Sequence, residues 1–266
     1  MLEIDFAQLS DPGKVRDHNE DYLGCFIPTS PAQAQSHGWL FAVADGVGGQ
    51  DLGEVASRMA IDGMVAGFRS AKANEAHIPL LQRLVQSANV KVYETGLAAS
   101  PGGTPMATTV VACALRYDRV VVAHVGDSRC YLFRHGNGTA LTRDHTVVAE
   151  QVRMGLMTAR EAGHAQTRHL LTRCLGNTLF AGVDTTDQQV IPGDTLLLCS
   201  DGLHGAVGLR DLENIVLPGC DLEAAADKLV SLANEQDGGD NITVQLIRVR
   251  GVERMGMYRG RPYKLR

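Results

Sequence analysis

The chain has 266 residues, 44% of them apolar and 21% charged, a balance that fits a soluble globular protein and excludes a low-complexity or fibrous one. The net charge of -5 argues against a protein dedicated to non-specific nucleic-acid binding, and no apolar run approaches the length of a membrane span. The opening MLEIDFAQLSDPG carries acids early and no apolar core, so a secretory leader is not expected.

The first strong element is WLFAVAD, 39–45, a short apolar run that reads as a strand. Helical periodicity follows at Gly53–Phe68, with Val55, Met59, Met64 and Phe68 expected on one face. It recurs at Ile78–Ala98, with Leu81, Leu84, Val85, Ala88 and Val92 at helical spacing. ATTVVACAL and RVVVAHVG then read as strands joined by a short RYD link, as in a meander. SRCYLFR is expected to turn at HGNG, 135–138, and pair with TALT. Shorter helices are expected at Val147–Met154 and Leu222–Asn234, and further strands at DTLLLCSD and NITVQLIRV. Strands and helices do not alternate as βαβ units. The expectation is an α+β layered domain with mostly antiparallel sheets, followed after Val249 by a basic, solvated and partly disordered tail. Cys113, Cys130 and Cys199 lie in apolar runs, and none of the six cysteines forms a CxxC pair, so they read as buried apolar residues rather than disulfides or a zinc site.

Asp45 ends its apolar run and is followed by three glycines within four positions. A carboxylate there needs a partner, because desolvating it alone is costly. Asp127 follows VVVAHVG, Asp201 follows LLLCS, and Asp240 precedes NITVQLI, each with a glycine close by. Any one of these aspartates reads as a turn or capping residue. Four in matched contexts, converging on one sheet edge, would repel one another unless hard cations neutralised them, which points to a Mg²⁺ or Mn²⁺ site. Arg16, in VRDHNEDYLG beside Glu20 and Asp21, adds a guanidinium suited to holding a phosphate. His164 and His169 are five apart and are given no metal role.

Taken together, VRDHNED, ADGVGG, TPMATTVV, VGDSRCYL, LTRDH, HLLTRCLGN, LLLCSDGL and GDNITV occur in that order between residues 15 and 244. This series resembles the metal-dependent protein phosphatases, the type 2C Ser/Thr protein phosphatases, in a compact bacterial-like form. The resemblance implies a four-layer αββα sandwich of two antiparallel sheets flanked by helix pairs. It implies a catalytic domain over residues 1–250 and a tail over 251–266. It also implies hydrolysis of phosphoserine and phosphothreonine on proteins by water activated at two Mn²⁺ or Mg²⁺ ions, without a phosphoenzyme.

Carried over by position, Asp45 would bridge the two metals, the Gly46 carbonyl would bind one, and Asp201 and Asp240 the other. Glu20 and Asp21 would act through metal-bound waters, Arg16 would hold the substrate phosphate, and Asp127 would belong to a third, weaker metal position. Residues from about Arg153 to Gly176 resemble the family's mobile flap. Two departures stand out. Val47 occupies the place of a His in many eukaryotic members, and Gly205 that of an Asp supporting the third metal. The implied partners are phosphoproteins and a cognate Ser/Thr kinase, in the cytoplasm, with no nucleic acid, no membrane and a monomeric chain. A binding-only relative is disfavoured by the retained Arg16, Asp45, Asp201 and Asp240. A metal-dependent nuclease is disfavoured by the acidic charge.

Overall fold

The computed structural model describes residues 2–47, 52–99 and 106–252, and the backbone of 255–258 and 261–264. Gly48 and Gly49 of ADGVGG, Thr104 and Pro105 of TPMATTVV, and the side chains of the basic tail lie outside the described residues. In chain order the elements are β1 (Glu3–Asp11), β2 (Asp21–Phe26), α1 (Pro31–Ser36), β3 (Trp39–Val47), α2 (Leu52–Arg69), α3 (His77–Ala99), β4 (Ala107–Thr108), β5 (Val110–Arg116), β6 (Arg119–Val125), β7 (Arg129–Arg134) and β8 (Asn137–Ala140). There follow α4 (Val147–Arg153), α5 (Ala159–His164), β9 (Asp184–Gln189), β10 (Thr195–Cys199), α6 (Asp201–His204), α7 (Leu209–Ile215), α8 (Leu222–Gln236), β11 (Ile242–Gly251), β12 (Met255–Tyr258) and β13 (Arg261–Lys264).

Strand parity explains the layering. Along β3, Leu40, Ala42 and Ala44 face α2 and α3, while Trp39, Phe41 and Val43 face the other sheet. Both faces are covered, which is why the run is apolar without alternation. One sheet runs β2-β3-β5-β6-β9, with β4 added beside β3, and the other runs β1-β11-β10-β7-β8. The pairs within both are antiparallel. Between them lie Phe41, Val111, Cys113, Val122, Cys130, Leu196, Leu198 and Ile247. Outside the first sheet, α2 and α3 contribute Ile61, Met64, Phe68, Leu81 and Val85. Outside the second, α6, α7 and α8 contribute Leu203, Leu212, Ile215, Leu229 and Val230. The result is the expected four-layer αββα sandwich. The free cysteines Cys113, Cys130 and Cys199 are buried within it, and no helix among the described residues is long and apolar enough to cross a membrane.

Several details differ from the sequence reading. On α2 the buried face is Ala56, Ala60, Ile61, Met64 and Phe68, whereas Val55 is 43% exposed. The helix lies close on the sheet along that face: a Cβ on Gly24 of β2 would come 2.5 Å from the Ile61 side chain. The turn after β7 is only His135-Gly136, both at positive φ, and Asn137 and Gly138 already belong to β8. The described parts of the tail are paired rather than disordered, with β12 and β13 forming an antiparallel hairpin.

Candidate metal and phosphate site

Asp45 continues the parity of Trp39, Phe41 and Val43, so its side chain leaves β3 on the face between the sheets, where the strand emerges from the core. Its backbone is fixed on both sides. The Asp45 N–H donates to Thr109 Oγ1 at 3.0 Å, and its carbonyl accepts from Thr109 N and Thr108 Oγ1, both at 2.8 Å. Asp21, the first residue of β2, is its direct cross-strand partner. The next residue, Gly46, has a packing reason of its own. A Cβ there would lie 2.4 Å from the Gly53 backbone and 2.8 Å from the Glu20 carbonyl oxygen, so only glycine lets β3 pass under the start of α2.

The second sheet supplies the opposite wall. Ser200, at the end of β10, donates from Oγ to Asp21 Oδ2 at 2.6 Å and accepts from the Thr243 N–H at 3.0 Å. Asp201 follows as the first residue of α6. At the entry of β11, Asp240 pairs with Arg16 at 2.9 Å. The neighbouring Asn241 accepts from the Glu20 N–H at 2.8 Å and donates to the Pro12 and His18 carbonyls at 3.0 and 2.9 Å. These bonds tie the loop that carries Arg16 and Glu20 to the strand that carries Asp240.

The electrostatics follow from the crowding. Burial, then the charges of Asp21, Asp201, Asp127 and Asp240, holds the Asp45 carboxyl well above its ordinary range. Burial likewise pushes Asp21 up to about 7, against the pull of the Ser200 hydrogen bond. Burial and the Asp201 charge push Asp127 up to about 7. Burial also works to raise Asp201, but the His169 hydrogen bond and the nearby His204 outweigh it, so this carboxyl sits below its ordinary value. Asp21 Oδ1 and Asp201 Oδ1 are buried without a hydrogen-bond partner among the described residues. Without metal, protons supply part of the positive charge that so dense a set of oxygens calls for. An all-oxygen donor set with orphaned acceptors suits hard divalent cations.

The structure therefore brings Arg16, Glu20, Asp21, Asp45, Gly46, Asp201 and Asp240 to one edge of the sandwich, with Asp127 beside Asp201. Sequence reasoning missed Asn241, Ser200 and Thr109, which position the acids. It also gave His169 no part. The five-residue spacing to His164 concerned a shared helix, but α5 ends at His164, and His169 beyond it places Nδ1 3.5 Å from Asp201 Oδ2. His204, on α6, has burial holding it down to about 4, and its Nε2 lies 2.9 Å from the Asp127 carbonyl oxygen.

A second group of ligand-type side chains, His124, His145 and Asp184, has donor atoms within 4.8 Å of one another. Its geometry suits a structural network better than an ion. The two imidazoles stack at 4.8 Å and 14°, face to face rather than converging by their edges, and Arg173 already pairs with Asp184 at 3.0 Å.

Comparison with known proteins agrees with this geometry. A family model described as Protein phosphatase 2C matches residues 14–236. A serine/threonine phosphatase (stp) of Listeria innocua is 35% identical over 257 residues, covering 95% of this chain and 96% of the relative. Among solved structures, the serine/threonine phosphatase of S. agalactiae superposes with a TM-score of 0.85 at 29% identity, covering 93% of this chain and 100% of that one. The catalytic domain of the serine threonine protein phosphatase PstP, solved in complex with 2 manganese ions, gives 0.79 at 30% identity, covering 94% and 100%. The chain belongs to the protein phosphatase 2C family and is a protein serine/threonine phosphatase.

Proposed function

We infer that the edge formed by Asp21, Asp45, Asp201 and Asp240 holds two divalent cations, Mn²⁺ or Mg²⁺, and that phosphoserine and phosphothreonine side chains of proteins are hydrolysed there. The observation that carries this reading is the convergence of carboxylates from both sheets on one edge, with two buried oxygens unpartnered among the described residues and a guanidinium alongside. Asp45 and the Gly46 carbonyl would hold one cation, and Asp201 and Asp240, together with Asp45, the other. Glu20 and Asp21 would accept hydrogen bonds from the hydration of the site, and Asp127 would belong to a weaker third position. When bound, the cations supply Lewis acidity and lower the pKa of attacking water. Arg16 grips the phosphate through paired hydrogen bonds and offsets charge on its equatorial oxygens. Ser200 and Asn241 keep Asp21 and Glu20 oriented, so little reorganisation is needed when the substrate arrives. The presence of two manganese ions in the related PstP domain supports the assignment. Residues 1–250 carry the chemistry. The chain works as a cytoplasmic monomer that reverses the action of a Ser/Thr kinase, whose own phosphorylated segment is a natural substrate.

The test is hydrolysis of p-nitrophenyl phosphate and of a phosphothreonine peptide, with Mn²⁺ and with EDTA, by the unaltered chain and by Asp45→Asn. Turnover that requires Mn²⁺ and falls by about a thousandfold in the variant is expected, the scale on which a lost electrostatic stabiliser acts. Full activity in EDTA would overturn the reading. Absence of turnover in a folded, metal-supplied chain would point to a module that binds phosphoproteins without hydrolysing them.

A further inference from the structure

Next to the carboxylate edge lies a cavity of 740 Å³ whose lining does not include Arg16. Asp127 and Asp201 form part of its floor, and α4, α5 and the chain that follows them form its outer wall. Five arginines line it, and they divide into two kinds. Arg129 is spent on Asp144, by bonds of 2.8 and 2.7 Å, and Arg173 on Asp184 at 3.0 Å. Arg143, Arg153 and Arg168 have no carboxylate partner among the described residues, and all three are exposed. Among the described residues, Arg168 donates to His169 and, at 3.4 Å, to the Gly163 carbonyl. The remaining carboxylate of the lining, Glu150, accepts from the Thr172 hydroxyl at 3.0 Å. The cavity therefore presents uncommitted guanidiniums beside the reaction edge, in a chain whose net charge is -5.

Resting on the phosphatase reading, we propose that this cavity selects substrates carrying a second anionic group, a phosphate or a carboxylate, within a few residues of the phosphorylated one. Arg143, Arg153 and Arg168 bind that second group. The chemistry is that of guanidinium forks, which pair with phosphate and carboxylate oxygens in a planar, two-pronged geometry. The position is suitable because an extended peptide advances about 3.3 Å per residue, so a few residues carry it from the metal edge into the cavity. Arg16 serves the phosphate being cleaved and lies outside this cavity, so the two anion sites are separate.

The experiment uses three phosphothreonine peptides that differ only at flanking positions: neutral, aspartate-bearing, and carrying a second phosphothreonine. The readout is the ratio of kcat/KM for each charged peptide over the neutral one. A preference of about tenfold for at least one charged peptide is expected, falling as ionic strength rises. It should collapse towards one in the Arg143→Ala/Arg168→Ala variant and invert for the aspartate peptide in Arg143→Glu. A preference for the doubly phosphorylated peptide alone identifies the second group as phosphoryl. Equal kcat/KM for all three peptides, or a preference untouched by these variants, overturns the proposal. p-Nitrophenyl phosphate, too small to reach the cavity, reports the phosphatase reading separately. If it were not hydrolysed, peptide affinities measured by fluorescence anisotropy with Mn²⁺ present would still decide whether the charged peptides bind more tightly.

Discussion

Asn241 spends its side-chain amide on three backbone groups of the 12–20 segment, and it does so while 5% exposed. Replacing it by alanine strands one N–H and two carbonyls that are part-buried, each of which would cost about 1–3 kcal/mol if left unmet, although water and relaxation of the surface loop recover part. Asn241→Ala is therefore expected to lower stability by about 2 kcal/mol in urea unfolding. Because the same bonds seat the loop of Arg16 and Glu20, kcat/KM should fall further than stability alone explains, by about a hundredfold, as a misplaced positioning group does. Normal kinetics in the folded variant would show that the loop holds its place without the amide. Asp45, Asp127, Asp201 and Asp240 were legible in the sequence, because a charge at the end of an apolar run is a local anomaly, whereas Glu20 and Asp21 gained a role only through the resemblance. Asn241 and Ser200 were not, since a hydrogen-bonding side chain next to an acid has no period and no composition to mark it. Nor does spacing reveal which acids meet across two sheets.

At the scale of the element, α3 begins with a buried histidine. His77 is 7% exposed, packs against Phe68 at 5.7 Å between ring centres, and places Nε2 2.8 Å from the His37 carbonyl oxygen. Burial, and then the charge of Arg116, holds it down to about 4 from the ordinary 6.5. The unfolded chain thus takes up the proton first. The contribution of neutral His77 is present in full above pH 6.5 and is lost as pH falls from 6.5 to 4, for a total of about 3 kcal/mol. His77→Gln keeps a donor for the carbonyl and removes the titration. Its stability should decline less steeply than that of the unaltered chain over this interval, as measured by urea midpoints at stepped pH. Parallel declines would mean that His77 charges without penalty. The elements themselves were unevenly legible. β3, β5, β6, β10 and β11 announced themselves because both faces are buried and β-branched or aliphatic residues fill them. β9, DTTDQQ, is a polar edge strand, and β1 exposes Phe6 and several polar residues along its length, so neither shows an apolar period. The short helices α1, α5, α6 and α7 run 4–7 residues, too brief for a 3.6-residue repeat to emerge.

At the scale of the whole molecule, the acids are divided between the sheets: Asp21 and Asp45 stand on one, Asp201 and Asp240 flank strands of the other. On the proposed reading, cations bound among them would tie the two sheets together, so Mn²⁺ should raise Tm well beyond a non-binding salt control, by an amount that grows with the logarithm of its concentration. The packed layer between the sheets sets how they are seated. Leu198, fully buried in that layer on β10, lies two residues before Ser200 and three before Asp201. Leu198→Ala should cost about 2–5 kcal/mol of stability and leave a void that the sheets can settle into. A shift of a fraction of an ångström there is small for a core but large for a pair of ligands. On gentle heating, this phosphatase should therefore fall silent while its circular dichroism still reads as folded: the catalyst is a seam, and a seam fails by slipping before the cloth on either side begins to fray.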